Sequence, residues 1–132
     1  MRPIYLTFTP TSASSDFVTQ PVVLDPYTNP QSFSVIATLL GTSSSATATI
    51  GLQVSNDDPY APTYDPAKGN WLVSDGFFSN SGVLVATSST TGLGSVGGST
   101  NVVPRLIRFS ATSCVDVAQV KFEVVQGGIG GV

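Results

Sequence analysis

The chain has no histidine, a single cysteine, and only five basic and eight acidic residues among 132. Each scarcity closes off a class of chemistry. Histidine is the commonest general base near neutral pH and a frequent metal ligand. Without it, a hydrolytic or metal-assisted centre would have to be built from a few carboxylates, so neither an enzyme nor a bound cofactor is expected. Cys114 stands alone, which forbids an intrachain disulfide and fits folding in a reducing compartment. It also lacks an imidazole to draw off its proton, and reads as a small core hydrophobe rather than a nucleophile. The basic residues Arg2, Lys68, Arg105, Arg108 and Lys121 form no cluster that could neutralise a run of phosphates. No nucleic-acid partner is expected on that ground. No apolar run approaches the roughly 20 residues of a membrane span. Residues 1–8 carry no apolar stretch followed by a small-residue cleavage site, so neither a membrane partner nor a secretion signal is expected.

What the chain does have is alternation. Hydrophobic residues make up 41%, enough for a core, while 13 glycines and 9 prolines imply many turns. Ile4, Leu6 and Phe8 share one face of the first run. Residues 17–24 continue an extended pattern that Pro21 interrupts, and two further prolines mark residues 25–30 as a turn cluster. Phe33, Val35, Ala37 and Leu39 face one way in the next run. After a small turn over residues 41–45, Ala46, Ala48, Ile50, Leu52 and Val54 alternate with Thr47, Thr49, Gly51, Gln53 and Ser55. Period-2 alternation of that length predicts strands, and the short Gly/Ser/Thr turn between the two runs predicts a hairpin. Residues 56–70 form a long polar connection before a strand at Trp71-Leu72-Val73 and a short one over residues 82–87. Residues 88–100, almost entirely Ser, Thr and Gly, are expected to be a loop or a segment ordered by a partner, because they offer little apolar surface to offset ordering on their own. Arg105, Ile107, Phe109 and Ala111 then alternate with Leu106, Arg108 and Ser110, and Val120, Phe122 and Val124 with Lys121, Glu123 and Val125. No run of helical period competes with these. The expected fold is all-β: one antiparallel β-sandwich of about eight strands, of jelly-roll type, over residues 1–126, with a flexible glycine-rich tail at 127–132.

Several residues invite a chemical reading. Asp57, Asp58 and Asp65, with Asp75 as a possible fourth, offer the hard oxygens that calcium prefers. The order does not match a spaced Asp-x-Asp-x-Asp-Gly loop, and Asp is also a common turn former. Glu123 lies mid-strand, away from the turn carboxylates, which argues against a glycosidase pair. Tyr60, Tyr64 and Trp71 lie in and beside one loop, where they would either cap the end of the core or stack against a partner or a glycan. Arg105 and Arg108 sit an odd number of positions apart, so a regular strand turns them to opposite faces. A covered one needs a mate, for which Asp116 or an intersubunit salt bridge is a candidate. Gly92-Leu93-Gly94-Ser95-Val96-Gly97 has the spacing of a dinucleotide loop, but no helical pattern follows to receive a pyrophosphate, so the spacing is read as chance.

The order Leu52-Gln53-Val54-Ser55-Asn56-Asp57-Asp58, then Trp71, then Pro104-Arg105-Leu106-Ile107-Arg108-Phe109-Ser110-Ala111-Thr112, then Val120-Lys121-Phe122-Glu123-Val124-Val125-Gln126 resembles small β-sandwich structural proteins of tailed bacteriophages. The resemblance spans roughly the last 80 residues. It implies a virion component made in the host cytoplasm: a capsid decoration (cement) protein whose partner is the major capsid protein, and which assembles as a homo-oligomer, a trimer by the habit of such proteins. A tail, neck or head-fibre accessory or host-recognition component, and a carbohydrate-binding module, are the alternatives. The resemblance carries over no catalytic residue.

Overall fold

Each alternating run of the sequence becomes a strand whose apolar side faces a shared interior. The computed structural model of the protein describes residues 4–12, 14–24, 33–65, 68–74, 76–85, 93–100 and 104–126, with the backbone alone over 93–100 and at 126. Its strands are β1 (Ile4–Phe8), β2 (Phe17–Val18), β3 (Val22–Val23), β4 (Phe33–Gly41), β5 (Thr47–Ser55), β6 (Leu72–Ser74), β7 (Val83–Val85), β8 (Leu93–Thr100), β9 (Leu106–Val115) and β10 (Val117–Gln126). A short 3-10 turn, Ser79–Gly82, precedes β7, and no α-helix occurs among the described residues. All pairings are antiparallel and fall into two sheets. The first runs β1-β10-β4-β8. In the second, β2 and β3 lie along one side of β9, and β5 separates β9 from β6 and β7.

The two sheets close on each other as a β-sandwich. Phe33, Val35, Ala37 and Leu39 of β4 and Val120, Phe122 and Val124 of β10 are buried against Ala48, Ile50 and Leu52 of β5 and Ile107, Phe109 and Ala111 of β9. Aromatic pairs link the sheets directly. Phe109 and Phe122 stack with ring centroids 4.3 Å apart, and Phe8 stacks on Phe17 at 4.2 Å. Each such pair adds about 0.5–1.5 kcal/mol beyond burial. The break at Pro21 is visible as well. Val18 faces Ser110 and Val22 faces Ile107, so this side carries one residue more than β9. Buried Thr19 fills the gap: its N–H donates to the Phe109 carbonyl, and its Oγ1 accepts the Phe109 N–H at 2.9 Å.

Three expectations are corrected. β4 and β5 do not form a hairpin, because the turn after Gly41 carries the chain from the first sheet to the second. A second crossing, at Asp116 between β9 and β10, runs in the opposite sense. The two are latched together: Thr42 N–H donates to the Asp116 carbonyl at 2.7 Å, and Ser43 Oγ to the Asp116 carboxylate at 2.7 Å. The second correction concerns residues 93–100, which form a strand rather than a loop. β8 pairs with β4 from Phe33↔Thr100 to Leu40↔Leu93. Its glycines 94 and 98 stand opposite buried Leu39 and Val35, so an edge strand fits here without bulky side chains. Third, Leu106 and Ile107 are both fully buried, so the alternation breaks at the start of β9 and leaves Arg105 exposed. The tail at 127–132 and residues 88–92 lie outside the described residues.

Candidate binding surface

The outer face of the second sheet gathers the side chains that an apolar core rejects. On β5 these are Thr49, Gly51 and Gln53; on β9 they are Arg108, Ser110 and Thr112. The register sets them in rows: Gln53 opposite Arg108, Gly51 opposite Ser110, and Thr49 opposite Thr112. β6 extends the first row with Val73. Arg108 Nε donates to Gln53 Oε1 at 2.6 Å, and the guanidinium lies 4.2 Å from the centre of the Trp71 ring. Partial burial draws the Arg108 pKa down from its ordinary value, while nearby Tyr64 acts in the opposite sense. One face of Trp71 is therefore already occupied by a cation, a contact that contributes about 0.5–1 kcal/mol at a partly exposed site.

The acidic loop folds by capturing its own backbone. Asp57 Oδ2 accepts the Asn70 N–H at 3.0 Å, and Oδ1 accepts the Asn70 side-chain amide at 3.3 Å. The bond from the Asn70 backbone, followed by the one from its side chain, holds the Asp57 carboxyl below the usual carboxylate range. Gly69, with φ +133°, brings the chain so close to Asp57 that a Cβ would stand 2.7 Å from Oδ2. Asp58 Oδ1 accepts the Tyr60 N–H at 2.9 Å, and turns closed by Ala61, Tyr64 and Lys68 N–H groups follow. Asp57, Asp58 and Asp65 all line a shallow hollow of about 450 Å³ beside Tyr64 and Lys68. Among the described residues, however, no three carboxylate, thiol or imidazole groups converge as a metal site would need. Asp57 is spent on positioning Asn70. Asp75, the candidate fourth ligand, lies outside the described residues.

Trp71 packs against Arg108 and Tyr64 is near enough to act on its charge, whereas Tyr60 projects outward with 82% of its surface exposed. Arg105 is exposed, and its backbone N–H donates to Asn56 Oδ1. Asp116 is not its mate, nor that of Arg108. It lies beyond the far end of β9, about 25 Å of strand from Arg108, and holds Ser43. Cys114 is buried, and burial pushes its thiol pKa up, with the charge of Asp16 as a smaller cause in the same direction.

A second hollow, of about 520 Å³, opens beside Gly51 and Ser110, with Phe77 on its wall. Sequence reasoning missed it, and also missed the pairing of Gln53 with Arg108, which are 55 positions apart. The polar phases of β5 and β9 were the available signal for both. Among the described residues no helix is long and apolar enough to cross a membrane. Compared with known proteins, the chain matches no family model, no curated protein and no solved structure.

Proposed function

We propose that the protein is a non-catalytic structural subunit of a bacteriophage virion, a capsid decoration (cement) protein that docks on the outer surface of the major capsid protein and stabilises the head. The observation that carries this reading is apolar surface left open on outward-facing strand positions of a chain with few charges. On the first sheet Tyr5 and Ile36, 56% and 52% exposed, flank Glu123 in one register row. On the second, Val73 of β6, opposite Gln53 on the outer face, is 63% exposed. Such side chains in adjoining strands favour coverage by a neighbouring molecule. The strand order supports the reading further. Counting β2 with β3, and β6 with β7, each as one broken strand, we assign the eight positions in two sheets to the double Greek-key path of a jelly roll, an architecture used by viral capsid and lectin domains. A lattice of identical sites then stabilises the shell by mass action. Arg105, exposed at the start of β9, is the side chain we assign to an intersubunit ion pair in the trimer.

The test is cosedimentation with expanded empty capsids, together with the capsid melting temperature. Binding and a raised melting temperature are expected, and Tyr5→Asp with Ile36→Asp should abolish both. No cosedimentation of the unaltered protein overturns the proposal. A head-fibre or tail recognition component is the second reading, favoured by the exposure of Tyr60 beside Tyr64 and Trp71. Glycan or receptor binding lost on Tyr60→Ala, without capsid binding, would select it.

A further inference from the structure

We infer that the hollow beside Gly51 is a binding cleft for a neutral oligosaccharide. It arises from a gap in the second sheet. β6 pairs with β5 at residues 52–54 and β7 pairs with it at 47–49, so neither strand covers Ile50 and Gly51. The chain leaves the sheet there through Gly76, Phe77 and Phe78 and returns through the Ser79–Gly82 turn. The cleft that remains, about 520 Å³, lies within the range of small-molecule sites.

Its lining selects the ligand. Thr49, Ser74, Ser81, Ser110 and Thr112 bring five hydroxyls to one space. Of these five hydroxyls only Thr112 Oγ1 makes a hydrogen bond among the described residues, a long one of 3.5 Å to the Thr49 carbonyl. Each hydroxyl is both donor and acceptor, the complement of a sugar hydroxyl. Phe77 is half-buried, fixed from behind by Phe33 and Phe78, and offers an aromatic surface to the apolar face of a pyranose. Gly51 keeps the floor open, since a Cβ there would stand 3.0 Å from Ser110 Oγ. No charged residue is among the described lining, so a carboxylate or phosphate finds no counter-ion. A purely apolar ligand would strip water from the hydroxyls without replacing it. A neutral sugar satisfies both the hydroxyls and the ring.

The cleft belongs to a single protomer, and this inference does not rest on docking to a capsid. Its test uses the free, full-length protein, labelled with ¹⁵N and titrated with neutral tetrasaccharides of glucose, mannose and galactose. Sialyllactose serves as the acidic control. At least one neutral tetrasaccharide is expected to shift the amides of Gly51, Phe77 and Ser110. Ser110→Ala should weaken that binding about fivefold, the effect of one lost hydrogen bond. Gly51→Val, which fills the floor, should abolish it. Phe77→Leu, which retains apolar packing but loses the ring, should weaken binding while leaving the amide spectrum dispersed. Absence of shifts with all three neutral sugars, shifts confined to other faces, or unchanged affinity in both Ser110→Ala and Gly51→Val overturns the inference. So does binding of sialyllactose alone that Arg108→Ala removes, which would move the site to the Trp71–Arg108 surface.

Discussion

Two glycines with nearly the same positive φ allow a steric cost to be measured separately from a conformational one. Gly82 has φ +74° and is buried; Gly76 has φ +76° and is exposed. A Cβ on Gly76 would meet nothing within 4 Å, whereas one on Gly82 would collide with the backbone carbonyl oxygen of Ile50. Alanine in the left-handed region costs about 1–2 kcal/mol, and loss of unfolded-chain entropy returns about 0.4–1 kcal/mol of that. Gly76→Ala should therefore destabilise by about 0.5–1 kcal/mol. Gly82→Ala carries the same cost plus the collision. Ile50 sits in β5 opposite Ala111 of β9, so its carbonyl cannot retreat without loosening the central ladder of the second sheet. Forcing an extra carbon into a packed interior costs about 1–3 kcal/mol, for a total of about 1.5–4 kcal/mol. In a domain of this size that corresponds to a Tm lower by about 6–15 °C, against about 2–4 °C for Gly76→Ala. Urea unfolding followed by the fluorescence of Trp71, the only tryptophan, gives both values, and unchanged m-values would license the comparison. If the two variants fall within about 0.5 kcal/mol of each other, the Ser79–Gly82 turn is not pressed against β5, and the account of the cleft wall loses its anchor.

Other perturbations test other parts of the fold. Because hydrogen bonds lower the Asp57 pKa below 3.8, their contribution is fully present above that value and is lost as pH falls through the lower folded value. The backbone amide of Asn70 should accordingly titrate below pH 3.8 in an NMR pH series and should not titrate in Asp57→Asn; a midpoint above 3.8 contradicts the arrangement. Asp116 has φ +54° and accepts the Ser43 hydroxyl. Asp116→Ala should cost about 1–3 kcal/mol and Asp116→Asn under about 1 kcal/mol in chemical denaturation; equal losses would show that the latch contributes nothing. Burial and a raised pKa together predict that the Cys114 thiol reacts with Ellman's reagent about 100-fold more slowly in the folded protein than in urea. Comparable rates would place the thiol at the surface.

Strands with a large apolar phase were legible in the sequence because a buried face leaves an unmistakable period of two. β4, β5 and β10 carry it over nine or ten residues, and their inward sets are found buried except at the end of β5, where Val54 is only partly buried and Ser55 is buried in its place. β8 was not legible. Leu93-Gly94-Ser95-Val96-Gly97-Gly98-Ser99-Thr100 has almost no side-chain signal, and its extended state is set by the partner β4 rather than by local preference. The crossing at 41–45 is hidden from the sequence for a related reason. A short Gly/Ser turn joins neighbouring strands of one sheet or facing strands of two, and the local residues are the same in both cases. The candidate site divides along the same line. Trp71 and Tyr64 were legible as surface aromatics, but what they meet depends on Gln53 and Arg108 coming into register. The Gly51 cleft depends on where β6 and β7 stop, which no single segment records.

The position of β10 has a consequence for how the protein is made. It lies between β1 and β4, with Ile4 opposite Val124 and Val35 opposite the same residue on its other side. During synthesis the first strand must therefore wait, apolar face open, until residues 117–126 leave the ribosome. Bringing such distant segments together costs about 4 kcal/mol of loop-closure entropy, which places folding in the slow, millisecond-to-second regime of non-local β proteins. Until then the nascent chain holds two unpaired edges waiting for a single strand, and it is in this interval that chaperone binding or mispairing between copies would occur.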